Sequence, residues 1–137
     1  MSLPTVWLGE GGLVHVDYQD VGVLDLAAVT AEFEARRPLA PGPQLVVARL
    51  PGVWRVDPEA AAFLASPEVA MRTRAQACVI DSSHGLAALR VLEQYQPPAF
   101  PFRVFGTLED AAEWLLGLAG DGDPIRSQDN PVLRTRF

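Results

Sequence analysis

Lysine is absent from this chain: all 11 basic residues are arginine. No Schiff-base chemistry and no Walker-type phosphate loop is possible without an ε-amine. Positive charge is scarce too, with 11 basic residues against 17 acidic ones and a formal net charge of −6. A nucleic-acid backbone is held by clustered positive charge, so no nucleic-acid partner is expected. The single cysteine, Cys78, can form no internal disulfide, and within ACVI it reads as a small core residue. No apolar run reaches the ~18–20 residues of a membrane span, and MSLPTV lacks a basic region followed by an apolar one. The expectation is a cytoplasmic protein with no stable membrane insertion.

What is present suits one α/β domain. At 137 residues the chain can bury roughly two-thirds of its unfolded surface, so it needs neither disulfide nor metal to fold. Val6–Leu8 and Leu13–Tyr18 flank the glycine-rich Gly9–Gly12 and read as a hairpin. The second strand alternates, with Val14, Val16 and Tyr18 on one face and His15 and Asp17 on the other. Asp25 is placed to cap a helix to about Arg37 with Leu26, Val29 and Phe33 as its buried stripe, and Pro38 stops it.

Leu45–Leu50 and Ala77–Ile80 are continuous apolar runs, as in strands covered on both faces of a parallel sheet. Between them, Asp57-Pro58-Glu59 and Ser66-Pro67-Glu68 each carry a cap, a first-turn proline and an early acid. Ser82 or Ser83 opens a further helix through Leu86, Leu89 and Leu92, ending between Glu93 and Tyr95 before Pro97 and Pro98. Finally, FPFRVFGTLEDAAEWLLGL is a strand, a turn and a helix. Thr107 and Asp110 form a capping-box-like start, and Leu108, Ala111, Ala112, Leu115 and Leu118 recur at helical spacing.

The order ββαβααβαβα predicts a mixed sheet of about five strands, antiparallel at its start and parallel afterwards, with four to five helices. The expected division is an α/β domain over 1–118 and a flexible polar tail over 119–137.

Candidate chemistry is sparse. Asp81-Ser82-Ser83-His84 offers Ser, His and Asp, yet neighbours in one helical turn point in different directions and no G-x-S-x-G elbow is present. Capping by Ser82 or Ser83, with Asp81 compensating the helix dipole, accounts for it better. Catalysis there would require convergence with His15 or Asp17. A metal site would need the same residues joined, and nothing in the spacing demands it. Gly9–Gly12 precedes a strand, so it offers no phosphate-cradling helix start. Trp54 is different: it follows a buried strand in a loop that enters a capped helix, where loops tend to carry function. It folds over the sheet edge or stands out as an aromatic anchor for a partner.

The hairpin VWLGEGGLVHVDY, the strand QLVVARLPGV with its following helix, and the closing FPFRVFGTLEDAAEWL resemble SpoIIAA-like, or STAS-like, domains over about residues 5–118. More narrowly, the ending Phe105, Glu109-Asp110 and Trp114-Leu115 resembles that of stand-alone bacterial members of unknown function. Anti-sigma-factor antagonists of this type present a serine, phosphorylated by a partner kinase, in a D-S-x-G-like motif after a strand. The matching place here is Val56-Asp57-Pro58-Glu59, with no Ser or Thr. Asp81-Ser82-Ser83 imitates the motif one strand–helix unit later, with His84 interrupting it.

The resemblance implies a regulatory, non-enzymatic interaction domain without cofactor, acting on a protein partner or a second copy of itself. Its expected surface is Trp54, Arg55, Asp57 and Glu59. The alternative is a binding domain for a small apolar or lipid-like ligand in a groove lined by Trp54, Phe63, Phe100 and Phe102. A pocket of ~300 Å³ or more would favour it, and a solid core would remove it.

Overall fold

A computed structural model describes residues 3–94 and 99–121. Strands β1 (Thr5–Leu8) and β2 (Leu13–Asp17) form the expected hairpin, joined by a 3₁₀ turn over Glu10–Gly12. Gly11 and Gly12 have φ of 70° and 82°, a region open to glycine at little cost, which is why the turn needs them. Next come β3 (Val23–Leu24), α1 (Leu26–Arg36), β4 (Gln44–Arg49), β5 (Arg55–Val56), α2 (Pro58–Leu64) and α3 (Pro67–Met71). The chain continues through β6 (Thr73–Val79), α4 (Ser83–Glu93), β7 (Phe102–Phe105) and α5 (Leu108–Asp121).

The main sheet has the order β1-β2-β4-β6-β7. Its first pair is antiparallel and the other three are parallel. The mixed α/β architecture is therefore as the strand–helix order predicts. A second, two-stranded parallel sheet joins β3 to β5. Strands of two residues are too short to show an alternation, so they leave no trace in the sequence.

Each face of the main sheet has its own core. Val14, Val16, Tyr18, Val46, Ala48, Cys78 and Phe102 pack with Val29 of α1, Ala60 of α2 and Leu89 of α4. On the other face Leu13, Leu45, Val47, Ala75, Ala77 and Val79 pack under Ala111, Leu115 and Leu118 of α5. The alternation along β2 holds, with Leu13, His15 and Asp17 on the α5 side.

Several local expectations need correction. Leu26, Leu86 and Leu108 are exposed rather than part of the buried stripes. Leu26 and Leu108 each open their helix and lie before its first buried turn. Helix α1 instead buries Ala28, Val29, Glu32, Phe33 and Arg36. Helix α5 runs through Gly117 to Asp121, beyond the boundary expected at 118. Burial of Leu118 outweighs the poor helix propensity of glycine, about 1 kcal/mol per residue. Tyr95, Pro97, Pro98 and the rest of the expected tail lie outside the described residues.

Candidate functional site

Three loops meet at the carboxyl ends of β2, β4 and β6, where open parallel sheets place their ligands. The segment before β3 and the segment before β5 are stitched together: Trp54 N donates to Gly22 O at 2.9 Å and Asp57 N to Leu24 O at 2.9 Å. The third loop joins through Ser82, whose hydroxyl donates to Pro51 O at 3.0 Å. The same oxygen accepts from Gly85 N at 3.0 Å and caps α4. Both functions of the Ser82 hydroxyl are thus structural. Ser83 and His84 are exposed on the first turn of α4.

Arg49 closes the α5 side of this end. It donates to Asp17 at 3.4 Å and to Asp81 at 3.0 Å, so one guanidinium bridges the ends of three neighbouring strands. Asp81 is committed to Arg49 by a charge-assisted bond, rather than to the α4 dipole alone. His15 lies farther out on that face, stacked on Trp7 of β1 with ring centroids 5.0 Å apart, and burial lowers its pKa. The serines, His84, His15 and Asp17 therefore each have a separate structural setting. Among the described residues no group of three or more His, Cys, Asp or Glu is arranged to hold a metal ion.

Of the expected surface, Trp54 is 63 % exposed. Its indole crosses Gly22, where an added Cβ would fall 2.7 Å from Nε1. The side chain is held at its root and open over most of its area. Arg55 and Asp57 form an ion pair at 2.9 Å. Asp57 occupies the N-cap position of α2 but makes no side-chain cap bond; its Oδ1 instead accepts from Arg55 Nε, two residues earlier. Glu59 is exposed on the first turn of α2. These four residues form one continuous stretch around the β5–α2 junction.

A second feature lies inside the molecule. A cavity of about 120 Å³ opens between the sheet and helices α1 to α4. Phe100 and Phe102 line it, with Val46, Ala48, Leu64 and Leu89. Trp54 and Phe63 do not: Trp54 is outside, and Phe63 packs edge-on against Phe33 with centroids 5.7 Å apart. The volume falls below the ~300 Å³ of drug-sized pockets, yet this core is not solid.

Five polar residues share the cavity wall: Gln76, the exposed Glu93, and a connected group of three, Tyr18, Glu32 and Arg36. Tyr18 Oη donates to Glu32 Oε1 at 3.2 Å, and Glu32 Oε2 lies 3.8 Å from Arg36 Nη1. Arg36 Nη2 also donates to Arg72 O at 3.1 Å and to Thr73 Oγ1. Burial pushes the Glu32 carboxyl up, against the opposing pull of Arg36. Burial, then the Glu32 charge, pushes Tyr18 well above its ordinary range. Glu32 Oε2 and Arg36 Nε are buried with no hydrogen-bond partner. The sequence reasoning missed this group, although a signal was there: Val29, Glu32, Phe33 and Arg36 follow the i, i+3, i+4, i+7 stripe of one helix face.

Compared with known proteins, residues 6–119 match the model of a family described as a domain of unknown function, DUF7793. The chain belongs to that family. No curated protein and no solved structure matches it.

Proposed function

We propose that this protein is a non-catalytic regulatory domain that works by binding a protein partner, in the manner of the anti-sigma-factor antagonists that its sequence resembles. The observation that carries this reading is Trp54: a large aromatic side chain left 63 % exposed on a loop fastened by hydrogen bonds to a rigid sheet end. Tryptophan is the residue type most enriched among interface hot spots. The Arg55–Asp57 pair and Glu59 give that anchor a polar rim.

Signalling by serine phosphorylation is not part of the proposal. The expected position holds Asp57, and the hydroxyl of Ser82 is engaged in two structural bonds. Regulation would come from binding itself, or from occupancy elsewhere in the domain.

The test is affinity capture from the native cell extract with the wild-type chain and Trp54→Ala in parallel. An exposed side chain leaves stability within about 0.5 kcal/mol, so both proteins should show the same thermal midpoint. A specific partner retained by the wild type should be lost with the variant. If both capture the same proteins with equal yield, this surface is not the interface.

A further inference from the structure

The cavity behind the sheet makes a demand that the Trp54 surface does not explain. Its wall is mainly apolar, yet beside the exposed Glu93 it carries a buried carboxylate and a buried guanidinium, Glu32 at 4 % and Arg36 at 2 % exposure. Tyr18 satisfies only Oε1 of Glu32. Oε2 and the Nε–H of Arg36 are buried and unbonded among the described residues. A buried polar atom without a partner is costly and calls for one.

We propose that the cavity is a binding site for a small neutral molecule with a ring-sized apolar body and one hydroxyl group, the hydroxyl seated between Glu32 and Arg36. A hydroxyl is both donor and acceptor, so one group answers both orphan atoms: it donates to Oε2 and accepts from Nε. The charges of Glu32 and Arg36 compensate each other at 3.8 Å at the buried end, and the exposed Glu93 adds a second carboxylate to the wall, which disfavours an anion further. A carboxylate would face Glu32, and an ammonium would face Arg36. Size sets the body: a cavity of about 120 Å³ is close to the roughly 150 Å³ engineered void that accepts benzene. Long acyl chains are too large. A water molecule is the competing occupant of the polar end, but it would leave the space beside Ala48, Leu64 and Leu89 unfilled.

This site is independent of the Trp54 reading. Its test is titration of the full-length, ¹⁵N-labelled protein with benzyl alcohol, toluene and benzoate, following backbone amide shifts. Benzyl alcohol should bind, with the shifts concentrated at Ala48, Ala61 and Leu89, and at least about tenfold more tightly than toluene, which lacks the hydroxyl. Benzoate should not bind. Ala48→Leu, which extends a side chain into the space, should abolish the benzyl alcohol shifts while retaining a dispersed spectrum. Equal affinity for toluene and benzyl alcohol would overturn the assignment of the polar end. Absence of binding by every probe, or undiminished binding to Ala48→Leu, would overturn the site itself.

Discussion

Replacing Arg36 with methionine tests the buried charge cluster directly. Methionine keeps much of the volume and removes the cation. Arg36 and Glu32 lie 3.8 Å apart with side chains only 2 % and 6 % exposed. At an effective dielectric constant of about 20, their gross attraction is about 4 kcal/mol. Breaking a buried pair from one side strands the other charge and costs about 3–5 kcal/mol. That is a large share of a total stability of about 5–15 kcal/mol. The loss should depend on pH. Glu32 already has a folded pKa above its ordinary 4.5, because of burial. Such a carboxyl supports the fold below its unfolded pKa and loses that support as pH rises through the folded value. Without Arg36 the folded value climbs further, so the variant suffers more at neutral pH than at pH 4.5. A pH-independent loss of about 2 kcal/mol remains, from the hydrogen bonds of Arg36 to Arg72 and Thr73. Urea denaturation at pH 7.5 and pH 4.5 measures both. Equal losses at the two pH values would refute the assignment of the cost to a stranded Glu32.

Two further perturbations probe other parts of the fold. Trp114 packs on Phe105 with centroids 5.7 Å apart but is only partly buried, so Trp114→Ala should cost about 2 kcal/mol by urea denaturation, below the 3–5 kcal/mol of a fully buried indole. A loss above about 4 kcal/mol would mean that the last helix depends on the indole far more than this packing allows. Burial pushes the Cys78 thiol up to about 12, leaving about one part in ten thousand as thiolate at pH 8. Ellman's reagent should therefore leave the native protein untouched and titrate the single thiol in denaturant. Reaction within minutes, with the circular dichroism of the fold intact, would contradict that burial.

The hydrophobic pattern carried the architecture because the main elements are long and consistently patterned. β4 is buried along nearly its whole length, as LVVAR suggests. Thr107 does accept from Asp110 N at 3.2 Å, and Asp25 from Ala28 N at 2.8 Å, so the side-chain caps at these two helix starts follow from residue type and spacing. Where a second interaction competes, residue type misleads. Asp57 sits at a helix start with a proline behind it, yet its carboxylate belongs to Arg55. Arg49 reads as the polar end of a strand, and only the parallel pairing of β2, β4 and β6 brings Asp17 and Asp81 to it across 32 residues in each direction. The exposed Trp54 was legible as one of two outcomes. The Glu32–Arg36 pair is masked in the sequence, because charged residues are rarely buried and α1 supplies enough apolar positions to look complete without them.

That pair also separates two accounts of why the interior is built this way. On the α5 face the core itself is apolar, with Ala75, Ala77, Ala111 and Leu115 packed together and the Arg49 ion pairs confined to the strand ends. The opposite face holds an ion pair beside a void, although apolar groups of similar volume are often equally stabilising or better. The double variant Glu32→Gln, Arg36→Met keeps an acceptor for Tyr18 and removes both charges. If the pair serves stability, the double variant should remain below the wild type at every pH by clearly more than the about 2 kcal/mol of the lost Arg72 and Thr73 bonds. If the polar wall is kept for a ligand, the double variant should recover at neutral pH to within the about 2 kcal/mol set by the lost Arg72 and Thr73 bonds, while losing the preference for benzyl alcohol over toluene. Recovery with that preference intact would refute the ligand account, because the charges would then serve neither stability nor recognition.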